Sequence, residues 1–393
     1  MGSMCTLSVG KLEIDWGKNN FISNHSALFQ KDDLKLIPYY YEDNIIERKK
    51  GYSKKLISIK HRLNLLGYSM KEVEASFNSN LLYFNQLYEA SLPITFEQFY
   101  RIIRNVNIKK IDMTKDDYIR NYDHQEFVEY CVLNEIEDFK MLSSGSSYQI
   151  SHLLESIDPY ITLRILAENE KNYGLDVSWR TADVIENGWI LEEDIIPDLS
   201  DKDKVLIVTE GSTDTDIIKK SINLLYGDIS DFFSFIDMER NYPFTGTGNL
   251  KNFIQGLSKI NILNKIIVIL DNDVAGNSVF NSVKNLNLPP NLKVMTLPHC
   301  RGFKNFKCIG PNGTSYEDIN GRAVSIECFL DHSFSHQDVY VRWTSYDKNM
   351  DEYQGNIEPK NLLIKSFHQN YDKNYNFSKL KYLIDYIIDT WVS

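Results

Sequence analysis

Two short acidic runs in the second half of the chain carry the residue types best suited to chemistry. The first run holds Glu210 and Asp214, and the second holds Asp271 and Asp273. Carboxylates that converge repel one another unless a cation lies among them. Oxygen-only ligands favour a hard ion such as Mg²⁺ or Mn²⁺. If the chain folds so that the two runs meet, they predict a metal site.

Each acidic run also has a purely structural interpretation. In the first run, Ser212 or Thr213 could cap a helix whose first turn is favoured by Asp214 and Asp216. The second run could be a polar loop between a strand and a helix. Taken alone, each run is explained at least as well by a structural role as by a functional one. Two acidic runs at neighbouring strand ends of one sheet indicate a functional site.

The elements around these runs are short apolar strands that alternate with helical segments. The strand-like runs are 205–208, 232–236, 266–270 and 292–297, and the helical segments are 214–225, 248–257 and 275–283. Strands that are apolar throughout and alternate with helices predict a parallel sheet covered on both faces. Ligands of such a sheet bind beyond the carboxyl ends of its strands, where the acidic runs fall. Asp237 follows the second strand in the same way.

The first half of the chain has a different periodicity. A strand-like stretch starts at Cys5, and apolar residues then adopt helical spacing from Ser53 to about Leu175. The predicted fold is therefore α/β plus α, with an N-terminal helical domain and a C-terminal Rossmann-like parallel sheet. The predicted domains are a β-containing segment at 4–50, a helical domain at 51–190, an α/β catalytic domain at 200–331 and a C-terminal extension at 332–393.

Composition is that of an ordinary globular protein, since 42% of the 393 residues are hydrophobic and 25% are charged. We expect a cytoplasmic protein without a membrane partner, because neither a transmembrane run nor a signal peptide is evident. The five cysteines form no Cys-x-x-Cys pair, which argues against a zinc ribbon or a disulfide scaffold. The net charge of −11 leaves two routes to nucleic acid: locally concentrated basic residues, or divalent cations that offset gathered carboxylates.

A Glu-Gly-x-x-Asp motif that starts at Glu210 and an Asp-x-Asp-x-x-Gly motif that starts at Asp271 each follow an apolar strand. Together they resemble the Toprim domain of primases, topoisomerases and small nucleases. The resemblance implies that Glu210 is the catalytic acid/base and that Asp271 and Asp273 bind Mg²⁺ or Mn²⁺. It also implies that Gly276 admits a close turn into the following helix.

Five further residues extend this expected site. Asp214 resembles an additional acidic ligand of the nuclease-like Toprim branches, which implies a second metal ion. Glu327 resembles a later carboxylate of those branches, with an exposed helix residue as an equally weighted alternative. Arg301, Lys304 and Lys307 follow the fourth strand and are expected either to track a nucleic-acid backbone or to belong to a solvated loop.

Three stretches, 59–77, 310–313 and 318–323, extend the resemblance over nearly the whole chain. They are similar to the HEPN/Toprim-associated proteins of prokaryotes, which are linked to anti-phage defence. HEPN ribonucleases carry an Arg and a His at a longer spacing than Arg120 and His124 show here. We therefore expect the HEPN-like helical domain to be a non-catalytic binding or dimerisation domain.

These features predict a Mg²⁺-dependent nuclease of the Toprim class that acts on DNA or RNA in anti-phage defence. One alternative is a sensor or assembly module that binds nucleic acid or a nucleotide without cutting it, and another is a primase-like nucleotidyltransferase. A P-loop motif is absent, which excludes a fused ATPase of that type. The stretch 245–248 could cradle a phosphate, although a simple turn is its default interpretation. A phage-derived trigger or partner protein and a homo-oligomer are left open.

Overall fold

The chain forms two units in a computed structural model, residues 1–199 and residues 200–393. The structure describes residues 2–10, 12–41, 45–88, 94–110, 153–236, 247–260, 262–335, 337–371 and 374–392. Each unit has its own sheet and its own core, and each is described by itself.

The N-terminal unit is built on a five-stranded antiparallel sheet with the strand order β2-β1-β5-β4-β3. The strands are β1 (Met4–Val9), β2 (Leu12–Lys18), β3 (Leu34–Tyr40), β4 (Ile46–Lys55) and β5 (Asp176–Arg180). The described helices of this unit are α1 (Leu56–Leu65), α2 (Met70–Leu87), α3 (Phe96–Asn105), α4 (Pro159–Leu166) and α5 (Ala182–Glu186).

This sheet corrects the prediction of a helical HEPN-like domain at 51–190. β4 runs past residue 50, and β5 lies between β1 and β4, so strands from both sides of that predicted boundary share one sheet. The described N-terminal residues therefore form an α/β unit with extensive strand content rather than a helical domain. The prediction of helices from the apolar spacing is confirmed at α1 and α3, whose apolar faces are buried.

The core of the N-terminal unit lies between its sheet and its helices. Trp179 of β5 is fully buried and stacks on Phe29, with ring centroids 6.3 Å apart. Val177 lies in the same core, because alternate residues of a strand point to the same face. Ser178 and Arg180 consequently point to the opposite face of the sheet.

The second unit contains the predicted parallel sheet, with the strand order β10-β8-β6-β7. Its strands are β6 (Val205–Val208), β7 (Phe233–Phe235), β8 (Lys265–Leu270) and β10 (Leu292–Thr296), and the helices between them are α6 (Ser212–Leu225), α7 (Thr247–Leu257) and α8 (Val274–Val283). These bounds agree closely with the predicted segments. The alternation of strand and helix is confirmed, and so is the parallel arrangement.

Two smaller sheets complete the second unit. A two-stranded ladder pairs β9 with β13, and a four-stranded sheet has the order β12-β11-β14-β15. The remaining elements are β9 (Asn272–Asp273), β11 (Phe306–Gly310), β12 (Gly313–Glu317), β13 (Ala323–Val324), β14 (Tyr340–Asp347), β15 (Glu352–Glu358), α9 (Lys360–Asn370) and α10 (Ser378–Val392). β14 pairs with β11, and α10 packs against α6 and β10, so residues beyond 331 are integrated into this unit.

Within the described ranges, no helix combines the length and the apolar character that crossing a membrane requires.

Candidate functional site

The ends of β6 and β8 bring two of the predicted site residues into direct contact. The strands are parallel neighbours, with Val208 opposite Val268, so their carboxyl ends reach the same edge of the sheet. There the backbone N–H of Asp271 donates a hydrogen bond of 3.0 Å to Oε1 of Glu210. The two acidic motifs, separated in the sequence, therefore meet at one rim of the sheet.

Asp273 is held at this rim by three structural elements. It lies in β9, where it pairs with Ala323 of β13. Its Oδ1 caps α8 by accepting a 2.7 Å hydrogen bond from the N–H of Gly276, and its Oδ2 accepts a 2.5 Å bond from Nε2 of Gln354. Oε1 of Gln354 in turn accepts from the N–H of Val274, so this amide fixes both the carboxylate and the start of the helix.

Gly276 has a steric reason to be a glycine. A Cβ atom built at this position would lie 2.1 Å from the carbonyl oxygen of Asp271. Any side chain there would force the strand end and the helix apart. The expected close turn into α8 is therefore present, and it holds Asp271 against the first turn of the helix.

Asp214 lies in the first turn of α6, directly after the Glu210-Gly211 corner. Gly211 is the N-cap of this helix and no side chain caps it, so neither Ser212 nor Thr213 has the capping role of the structural interpretation. A carboxylate in the first turn interacts favourably with the helix dipole. Burial and the nearby Glu327 nevertheless raise the pKa of Asp214 to about 6.

Glu327 is fully buried in a short 3-10 helix, Ile326–Phe329. The alternative of an exposed helix residue is therefore wrong. Its Oε2 accepts a 2.7 Å hydrogen bond from the hydroxyl of Ser325, and its Oε1 lies 3.0 Å from Nζ of Lys360. Electrostatic interaction with both Asp214 and Asp271 places Glu327 in the same acidic cluster.

The cluster carries an excess of negative charge that Lys360 offsets only in part. Burial, together with Asp273 and Asp214, raises the pKa of Glu210 to about 7. The pKa of Asp271 is raised well above its ordinary range by burial and by Asp214 and Glu210. We call Glu210, Asp214, Asp271, Asp273 and Glu327 the acidic rim. Charges of one sign at close quarters in a partly desolvated site cost free energy unless a cation joins them.

Lys360 and Gln354 are residues of the acidic rim region that the sequence analysis missed. Burial lowers the pKa of Lys360, but Glu327 and Asp214 outweigh that effect and the net shift is upward. Gln354 contacts a carboxylate 81 positions earlier in the chain. Both residues belong to the predicted C-terminal extension, and neither stands in a motif that would have indicated its position.

The three basic residues expected to track nucleic acid do not touch the acidic rim in the described part of the chain. Arg301 and Lys304 are exposed after β10, in and next to a short 3-10 helix. Lys307 lies in β11, where its Nζ is 2.6 Å from Oδ2 of Asp338. Their proposed role in substrate binding stays a prediction.

The acidic rim fits a hard divalent cation in chemical type, because its donors are carboxylate oxygens in a partly buried setting with excess negative charge. In the conformation described, however, no group of three or more His, Cys, Asp or Glu side chains within the described ranges is placed to hold a metal ion. Both oxygens of Asp273 are already hydrogen-bonded. Metal binding would therefore require these side chains to reorient.

Several residues singled out in the sequence lie outside the described residues. These are Asp237, the Arg120 and His124 pair, and the first part of the stretch 245–248.

Comparison with known protein families finds a match to the N-terminal unit. A family model described as HEPN/Toprim N-terminal domain 1 matches residues 1–203 of the 393 residues. No curated protein and no solved structure matches this chain.

Proposed function

This chain belongs to the HEPN/Toprim N-terminal domain 1 family, and from that premise we propose that its second unit is a Mg²⁺-dependent nuclease of the Toprim class. The substrate is DNA or RNA, and the reaction is hydrolysis of a phosphodiester bond. We further propose that the protein acts in the cytoplasm in anti-phage defence, where a phage-derived trigger or partner protein and self-association would control it.

The observation that carries this proposal is the convergence of the acidic rim at the carboxyl ends of β6 and β8. Glu210 and Asp271 are in contact there, and Asp214 and Glu327 act electrostatically on Asp271. A fold held together by its apolar core gains nothing from this gathering of like charges. Perturbed carboxylates at the ligand-binding edge of a parallel sheet are typical of a functional site.

Within this proposal, Asp271 and Asp273 hold one Mg²⁺ or Mn²⁺, and Asp214 and Glu327 contribute to a second. The bound ion would polarise the phosphate and stabilise developing negative charge. Asp273 must release Gln354, and Glu327 must release Lys360, before their oxygens become available. Arg301, Lys304 and Lys307 are the proposed contacts of the nucleic-acid backbone.

Glu210 is proposed as the acid/base of the reaction. In the cation-free rim its pKa of about 7 lets it exist in both the protonated and the ionised form near neutral pH, and a divalent cation bound beside it would lower that pKa. A group poised in this way can accept a proton from water and later return one, which is the requirement for general acid–base catalysis. Its hydrogen bond from the N–H of Asp271 fixes the position of the carboxylate.

A non-cleaving sensor of nucleic acid or nucleotides is the second candidate function. It is favoured by the ion pair of Lys360 with Glu327 and by the engaged oxygens of Asp273. Through these contacts, groups of the protein itself partly neutralise or hydrogen-bond the carboxylates of the acidic rim. A sensor would retain nucleic acid without consuming it.

A cleavage assay with the full chain tests the proposal. Plasmid DNA, single-stranded DNA and total RNA are incubated with the protein in Mg²⁺ or in EDTA, and nucleotide incorporation is followed in parallel. We expect cleavage of at least one substrate in Mg²⁺ only, and its loss in the Asp271→Asn/Asp273→Asn variant. Asp216→Asn is the matched control, because Asp216 is an exposed carboxylate on α6 outside the acidic rim.

The other outcomes of this assay identify the alternatives. Retention of nucleic acid without cleavage supports the sensor, and incorporation of nucleotides supports a primase-like enzyme. Undiminished Mg²⁺-dependent cleavage by the double variant would show that the activity lies elsewhere in the chain.

A further inference from the structure

A cavity of about 390 Å³ lies in the N-terminal unit, against β3, β4 and β5. Small-molecule sites in proteins typically enclose about 300–1,000 Å³, so the cavity is large enough for a metabolite. Charged and hydroxyl-bearing side chains form much of its lining, among them Lys35, Arg48, Ser53, Asp176, Ser178 and Arg180. The proposed nuclease chemistry uses none of them.

Arg180 is the most unusual residue of this cavity, because its charge is buried without a counter-ion. Only 7% of the residue is exposed. Its Nε donates to the carbonyl oxygen of Pro38 at 2.8 Å, and its Nη1 donates to the hydroxyl of Ser8 at 2.6 Å. Both acceptors are neutral, and no described carboxylate is within ion-pairing distance. The guanidinium carbon lies 5.4 Å from the centroid of the Tyr40 ring, and Tyr40, Tyr39 and Glu13 act on the charge electrostatically.

A buried guanidinium in such surroundings carries a desolvation cost that neutral acceptors offset only in part. Burial accordingly lowers the pKa of Arg180. The planar group still has further N–H donors in a fork that matches the oxygens of a phosphate or a carboxylate. An anion bound in the cavity would supply the missing counter-charge.

Two further cations line the cavity. Lys35 and Arg48 are exposed and lie on β3 and β4. The acidic residue of the lining, Asp176, is already neutralised by Lys55, whose Nζ is 2.9 Å from its Oδ1. The cavity therefore presents a positive surface, in a protein whose net charge is −11.

Hydroxyl groups add directional contacts to this positive surface. Ser53 of β4 and Ser178 of β5 are opposite each other in the sheet, and their Oγ atoms are 3.4 Å apart. Hydroxyls beside arginine and lysine are a common arrangement for phosphate oxygens, since each hydroxyl rotates to donate.

We propose that this cavity binds a small molecule that carries a phosphate group, with Arg180, Lys35 and Arg48 as its cationic contacts. The partly enclosed volume fits a mononucleotide-sized ligand. A polymer would instead require a continuous basic groove. The site belongs to the N-terminal unit and does not depend on whether the acidic rim cuts nucleic acid.

Isothermal titration calorimetry of the full chain in EDTA tests this site, with inorganic phosphate and adenosine 5′-monophosphate as probes at matched ionic strength. We expect both probes to bind, and the Lys35→Ala/Arg48→Ala variant to lose about tenfold or more in affinity, since charge-assisted hydrogen bonds contribute at least that much. Lys31→Ala/Lys71→Ala removes two exposed cations of the same unit that do not line the cavity, and it should bind normally.

Arg180→Gln is the stronger test where it folds, and circular dichroism together with the tryptophan emission of the whole chain, to which the buried Trp179 contributes, reports on folding. The proposal is overturned if neither probe binds to the wild-type chain, or if the Lys35/Arg48 variant binds as tightly as wild type. It is also overturned if only an oligonucleotide binds, because a strand would then be the ligand.

Discussion

Two sites with buried carboxylates, one in each unit, have opposite electrostatic surroundings. In the N-terminal unit, Asp15 lies 2.9 Å from His25, and despite burial this partner helps to hold the pKa of Asp15 below its ordinary value. Lys54 is similarly paired with Asp33 at 2.7 Å. In the acidic rim, burial acts together with like charges, and the pKa of Asp271 rises. The comparison shows that burial alone does not determine the pKa of a carboxylate. The charges and hydrogen-bond donors around it determine the direction of the shift.

The largest expected effect is on catalysis at Glu210. Gln keeps the size of the side chain but removes its charge and its exchangeable proton. We expect Glu210→Gln to bind nucleic acid as wild type does and to lose roughly 10²–10⁴-fold in cleavage rate, the usual contribution of a positioned proton carrier. Single-turnover cleavage over a titration of Mg²⁺ and Mn²⁺ measures the loss.

The metal titration also separates two roles of Glu210. Recovery at high Mg²⁺ or with Mn²⁺ would make Glu210 a metal ligand only, because the defect would then be in occupancy. Near-normal turnover at low Mg²⁺ would remove Glu210 from the mechanism.

A smaller effect is expected at the ion pair of Lys54 and Asp33 in the N-terminal unit. Asp33→Asn removes the charge of Asp33 beside the buried Lys54, whose Nζ still donates to Oε1 of Gln30, so we expect the unit to lose about 1–3 kcal/mol of stability. Hydrogen exchange of β4 and β5 under mild denaturant measures this loss separately from the second unit. Asp32→Asn changes an exposed neighbour and serves as the control. Equal protection in both variants would mean that the Lys54 ion pair contributes nothing.

The smallest effect is a pH dependence of the second unit in EDTA. Because folding raises the pKa of Glu210 from 4.5 to about 7, the folded unit binds this proton more tightly than the unfolded chain. The resulting stability is present below pH 4.5 and is lost as the pH rises towards 7. As the pH rises from 4.5 to 7, we expect the thermal midpoint of wild type to fall relative to that of Glu210→Gln. The expected fall corresponds to about 1–2 kcal/mol of unfolding free energy.

This pH dependence is measured by scanning calorimetry on both proteins at matched ionic strength. A difference between wild type and Glu210→Gln that does not change with pH would contradict the raised pKa. Addition of Mg²⁺ should reduce the slope if the ion binds at the acidic rim.

The sequence was most informative where the fold is most regular. The strands β6 and β8 are largely buried, so apart from Lys265 at the start of β8 they form uninterrupted apolar runs, and the helices between the strands keep their own period. β10 is only partly buried and contains one charged residue, Lys293. Topology then places the residue after each strand at one edge, which is why the meeting of Glu210 and Asp271 could be predicted.

The sheet of the N-terminal unit could not be predicted in the same way. The first half of β4 is exposed and rich in charge, and it shows neither an apolar run nor a clear alternation. β5 reaches β1 across a long stretch of sequence, and local pattern carries no information about such a pairing. Gln354 and Lys360 were missed for a related reason, since tertiary contacts alone bring them to the acidic rim.

The late position of Gln354 and Lys360 in the chain has a consequence for protein synthesis. On the ribosome, β6, β8 and the carboxylates that follow them emerge well before α9 and α10 are made. The amide that fixes Asp273 follows it by 81 positions in the chain, and the cation beside Glu327 comes later still, at the start of α9. A nascent chain therefore passes through a stage in which the acidic rim exists without these two contacts.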